Sequence, residues 1–115
     1  MIKITLLASL VTATLLTIPS AKADTLSLRV CEYVQANDKN RLRSYLKQKK
    51  LKVRSIYKGF LCNDSTLLVF AAKSKALEVG EFLIGKLPAK MVAAEIEDIT
   101  KYSAHLGEEA RDRVN

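Results

Sequence analysis

The stretch Thr66-Leu67-Leu68-Val69-Phe70-Ala71-Ala72-Lys73, with Ala76-Leu77-Glu78-Val79-Gly80-Glu81-Phe82-Leu83-Ile84 after a break at Ser74-Lys75, decides the fold. Its first part is apolar almost all round, the pattern of a short buried helix from Leu67 to Lys73 capped by Ser65 or Thr66. In the second part Val79, Phe82, Leu83 and Ile84 recur at helical spacing along a helix from Ala76 to about Leu87, which Pro88 ends. The same helix–turn–helix pattern stands 38 residues earlier. Val30-Cys31-Glu32-Tyr33-Val34-Gln35-Ala36-Asn37-Asp38 aligns with Leu68 to Ala76, so that Tyr45 falls on Leu83 and Leu46 on Ile84. In that earlier unit Leu26, Val30, Cys31, Tyr33 and Val34 keep a helical period from Thr25 to Ala36. Asn37-Asp38 interrupts it, with Asn37 the expected N-cap of a second helix whose buried stripe is Leu42, Tyr45 and Leu46. Repetition of this kind marks stacked, equivalent units.

Between the units, residues 50–64 lose the helical period. Gly59 and Asn63-Asp64 mark turns, and the alternation from Lys52 to Ile56 predicts an extended finger. Beyond Pro88, Val92, Ile96, Ile99 and Leu106 fall on one face of a fifth helix that Gly107 terminates, leaving residues 107–115 as a flexible polar tail. The expected fold is all-α: two helix–turn–helix units, an extended finger and a C-terminal capping helix, in one domain over residues 24–106.

Thr66, Leu68, Ala71 and Ala72, followed by Leu77-Glu78-Val79, resemble the signature of an ankyrin repeat, with Leu67 in place of its proline and Val69 in place of its histidine. The resemblance implies ankyrin-like units, two where about three are usual, so the capping helix and a cross-link would stand in for a third. Residues 26–87 also resemble a family of small exported gammaproteobacterial proteins of unknown function. Carrying that likeness are Cys31-Glu32-Tyr33-Val34, Asn37-Asp38-Lys39-Asn40-Arg41-Leu42, and Cys62 with Leu67-Leu68 and Phe70-Ala71. It implies export and paired cysteines, and no activity.

At the N-terminus, Lys3 precedes an uncharged run from Ile4 to Ile18, Pro19 breaks it, and Ala21-Lys22-Ala23 supplies small residues for a peptidase. This reads as a secretory signal peptide over residues 1–23, cleaved after Ala23, which places the protein in the periplasm. A membrane anchor is the weaker reading, since the run is short and interrupted by Thr5, Ser9, Thr12, Thr14 and Thr17. Cleavage leaves 92 of the 115 residues with no transmembrane segment, and losing Lys3 and Lys22 lowers the net charge from +7 to +5. Cys31 and Cys62 are the only cysteines, and an even pair in an oxidising compartment points to a structural disulfide. Their spacing excludes CxxC redox chemistry, two sulfurs with one remote histidine, His105, make a poor zinc site, and a single histidine excludes a multi-histidine metal site.

Charge is segregated. Residues 38–58 carry nine basic side chains against Asp38 alone, a local +8 within a mature chain of +5. On a helical projection Lys39, Arg43, Lys47 and Lys50 share an arc of roughly 80°, continued by Lys52 and Arg54. The stripe reads either as a solvated face or as a docking surface for an acidic protein partner, with an anionic envelope surface (lipid or lipopolysaccharide phosphate) as the alternative. An exported protein seldom meets nucleic acid, so that partner is not expected. Glu78, Glu81, Glu95, Glu97 and Asp98 lie at helix-surface spacings, while Ser65, Thr66 and Ser74 lie at cap positions. No phosphate-binding glycine loop is present. The reading is therefore a non-enzymatic binding or adaptor module without catalytic residues, metal or cofactor.

Overall fold

The computed structural model describes residues 25–115; the signal peptide read over residues 1–23 lies outside the described residues. The described residues are all-helical: α1 over residues 25–35, α2 Lys39–Gln48, α3 Val53–Gly59, α4 Leu67–Lys73, α5 Leu77–Lys86, α6 Ala89–Ala93, α7 Ile96–Tyr102 and α8 Ala104–Val114. None of these helices is long and apolar enough to cross a membrane.

The 38-residue repeat is present in the backbone. α2 and α5 start and end 38 residues apart, and the turns before them are equivalent. Asn37 and Lys75 have φ values of 56° and 58°, and behind them Asp38 N–H donates to Tyr33 O and Ala76 N–H to Ala71 O. This is the helix-terminating closure in which one left-handed residue satisfies the last free carbonyls. It also corrects the N-cap of α2. Asn37 occupies the left-handed position, so Asp38 becomes the cap, its carboxylate accepting from Arg41 N–H at 3.1 Å. A third closure of the same kind ends α2, with Lys50 at φ 57° and Leu51 N–H bonded to Leu46 O. Lys50 is exposed, so Lys50→Gly removes the left-handed penalty. Urea denaturation should show a gain of about 0.5–1 kcal/mol; a loss would contradict the assigned turn.

One core runs through both units. Val30, Val34, Leu42, Leu67, Leu68, Leu83, Leu87, Ile99 and Leu106 are buried together, and α4 is buried along its whole length except Lys73. Thr66 caps α4 by accepting from Val69 N–H at 3.3 Å. At the centre, α5 packs against α4 and α8 and touches α2 and α3. Gly80 stands in α5 where the first unit has Leu42. A Cβ at Gly80 would lie 2.5 Å from Leu106 Cδ1, so Leu106 of α8 fills the space a side chain would take.

Three expectations are corrected. Residues 50–64 do not form an extended finger: the chain is helical from Val53 to Gly59, with Val53 and Ile56 buried at a three-residue step that the neighbouring Lys52 and Arg54 disguise as alternation. The β-type element in this region is a tight hairpin, where Cys62 and Ser65 exchange backbone hydrogen bonds of 2.8 and 2.9 Å around left-handed Asn63 and Asp64. The fifth helix is three helices, broken at Ala94–Glu95 and again at Ser103, whose hydroxyl accepts from Leu106 N–H at 3.2 Å and starts α8. Residues 107–115 are not a flexible tail, because α8 continues to Val114 with Gly107 and Ala110 buried. Finally, Cys31 and Cys62 are joined as a disulfide with Cα atoms 5.7 Å apart, which ties α1 to the hairpin ahead of α4.

Candidate functional site

The two apolar positions of α2, Leu42 and Leu46, point into the core, which places Arg43 and Lys47 on its flank. The left-handed turn at Lys50 then reverses the chain. It returns Lys52, extended at the N-cap of α3, and Arg54 in the first turn, beside the same flank. The C-terminal end of α5 and the last turn of α8 close the opposite wall with Lys86 and Arg113. The result is an open groove of about 610 Å³ whose polar rim is Arg43, Lys47, Lys52, Arg54, Lys86 and Arg113. Its floor is apolar: Leu46, Leu51, Val53, Phe82, Leu87 and Pro88.

No carboxylate lines this groove, and none of its six cations has an ion-pair partner among the described residues. Two of the six are positioned by neutral groups. Arg113 donates from Nη2 to the Leu87 carbonyl at 2.9 Å, and the Lys86 ammonium lies 5.9 Å from the Phe82 ring centroid. Both contacts use up little of the positive charge, because a carbonyl dipole and a ring quadrupole do not neutralise a cation.

Of the basic stripe, the structure brings Arg43, Lys47, Lys52 and Arg54 into the groove and leaves Lys39 and Lys50 out. Lys39 is half-buried at the start of α2, and Lys50 sits on the left-handed turn where helical projection no longer applies. Lys86 and Arg113 are additions that the stripe does not contain. The signal for Arg113 is the spacing Leu106, Ala110, Val114, a helical period hidden by small residues after Gly107.

Thr66, Glu95, Ser65, Glu81 and His105 are engaged elsewhere. Thr66 donates to Glu95 at 2.7 Å beside the enclosed Tyr57 hydroxyl, whose pKa burial pushes up to about 12. Lys73 donates to the buried Ser65 hydroxyl at 2.9 Å. His105 and Glu81 are 2.5 Å apart on α8 and α5, and this hydrogen bond raises the imidazole pKa above its ordinary value.

Residues 30–94 match a family model whose description is "Protein of unknown function (DUF3718)". The match spans more than half of the chain, and the chain belongs to that family. The matched span takes in both cysteines and five of the six groove cations, leaving out Arg113. No curated protein and no solved structure matches the chain.

Proposed function

We propose that the chain is a non-enzymatic periplasmic adaptor that docks an acidic segment of a protein partner in the groove between α2, α3, α5 and α8. The observation that carries this reading is the set of six unpaired cations around an apolar floor. Unpaired cations that converge raise the local potential and speed encounter with an anionic partner. An apolar floor adds affinity only for a ligand that also brings an apolar side chain, which favours a peptide over bare phosphate. Export is supported by the Cys31–Cys62 disulfide and by the N-terminal pattern, and the 38-residue helix–turn–helix repeat supports an ankyrin-like scaffold. Membership of a gammaproteobacterial exported family is part of the same proposal.

Arg54 is the residue assigned a directional contact, since a guanidinium grips a carboxylate with two parallel hydrogen bonds. The test is fluorescence anisotropy with an acidic peptide carrying one leucine or phenylalanine, its all-acidic counterpart, and vesicles of anionic lipid. The mixed peptide should bind best. Replacing Arg43, Lys47, Lys52 and Arg54 together with Gln should weaken it at least about tenfold, mainly through a slower on-rate. Folding stability should stay within about 1 kcal/mol, because these are exposed charges. Gln at Lys39 and Lys50 should leave binding unchanged. Vesicle binding stronger than peptide binding and steeply salt-sensitive would replace the partner with the anionic envelope surface. Equal binding by the fourfold variant would refute the groove altogether.

A further inference from the structure

Away from the groove, one cluster is left without a role. The imidazole of His105 and one carboxylate oxygen each from Glu81 and Glu109 all lie within 4.8 Å of one another. His105 and Glu109 are one turn apart on α8, and Glu81 faces them from α5. Their proximity is set by the core. The residue before Glu81 is Gly80 and the residue after His105 is Leu106, whose side chain lies against Gly80 where α5 packs on α8. The neighbours of the cluster in sequence thus belong to the packed contact between the two helices.

An ordinary ion pair leaves this arrangement incomplete. Two carboxylates, those of Glu81 and Glu109, converge on the one imidazole. No Lys or Arg forms an ion pair with any of them among the described residues, and Arg113, one turn beyond Glu109, turns away to the Leu87 carbonyl. We propose that Glu81, His105 and Glu109 form a binding site for a zinc-class divalent transition-metal ion bridging α5 and α8. One imidazole nitrogen with two carboxylate oxygens suits Zn²⁺, which takes such ligands at about 2.0–2.2 Å. Ca²⁺ and Mg²⁺ prefer oxygen alone and compete poorly for such a donor set. Three protein ligands leave at least one position to water, so the ion clamps two helices without being enclosed. Those helices carry Lys86 and Arg113 to one wall of the groove.

The full chain, purified without a polyhistidine tag, should bind one equivalent of Zn²⁺ saturably by calorimetry, with Ca²⁺ and Mg²⁺ giving no such isotherm. His105 is the sole histidine, so its imidazole resonances report on the site without assignment, and they should shift or broaden with the same stoichiometry. His105→Gln and Glu109→Gln should each weaken binding at least about tenfold, while Glu97→Gln on α7 leaves it unchanged. His105 is exposed and Glu109 half-buried on α8, and circular dichroism should report unchanged helicity. The groove variant should bind zinc normally, which keeps this test separate from the peptide experiment. Absence of a saturable isotherm, or binding that survives both substitutions, would overturn the proposal.

Discussion

Reduction of the Cys31–Cys62 bond is expected to cost about 3–4 kcal/mol of folding free energy. The bond closes a loop of 31 residues, and the chain-entropy relation for a loop of that length gives a value in this range. Domains of this size have a total stability of only about 5–15 kcal/mol, so the cross-link is a large share of it. At the sensitivity typical of small domains, the melting temperature should fall by about 15–30 °C. Calorimetry with and without reductant measures the effect directly. Cys31→Ala with Cys62→Ala should match the reduced protein, apart from a small additional loss at buried Cys62. Native protein should show no titratable thiol. Free thiols before reduction, or a drop of only a few degrees, would contradict the role assigned to the bond.

The second large effect has a sign opposite to that read from helix propensity. Gly107 lies inside α8, where alanine should be favoured over glycine by about 1 kcal/mol. Yet a Cβ at this position would stand 2.9 Å from Thr100 Cβ and 3.0 Å from its Cα, and it would also strike the Thr100 hydroxyl oxygen. That hydroxyl is held by a 2.7 Å hydrogen bond to Ile96 O, and a backbone atom cannot rotate aside. Gly107→Ala should therefore destabilise the protein by about 1–3 kcal/mol, as overpacked sites do. The same substitution at Gly85, which has nothing within 4 Å of its Cβ position, should stabilise by about 0.5–1 kcal/mol. Chemical denaturation of the two variants gives the comparison. Equal signs would show that α7 and α8 do not pack as closely as described.

The sequence was most legible where one physical signal dominated. The almost continuous apolar run behind Thr66 defines α4, and the repeat then places α2 and α5 at matching positions. It was least legible where two signals overlapped. At the start of α3, Lys52 and Arg54 flank Val53 and mimic a strand, although the three-residue step from Val53 to Ile56 is helical. After Pro88 the apolar spacing continues across Ser103, so local capping, a one-residue event, breaks what periodicity joins. Four groove cations could be found because they lie near one another in sequence. Lys86 and Arg113 come from distant segments, and only the packing of α5 and α8 adds them. The Glu81–His105–Glu109 cluster has the same origin, depending on an approach that Gly80 permits.

One hydrogen bond bears on how the two repeats share their stability. The N-cap of α5 is Ala76, whose side chain cannot accept a hydrogen bond, and the amide oxygen of Asn37 accepts from Val79 N–H at 3.0 Å instead. The side chain that satisfies the first turn of the second unit is thus supplied by the turn of the first, 42 residues away. In repeat proteins each unit can in principle unravel from an end while its neighbours stay ordered. Here, fraying of the α1–α2 turn exposes an unsatisfied amide at the start of α5, the helix on which α4, α8, α2 and α3 all pack. Loss of order in the first unit thereby removes a hydrogen bond from the first turn of the second, which couples the unfolding of the two.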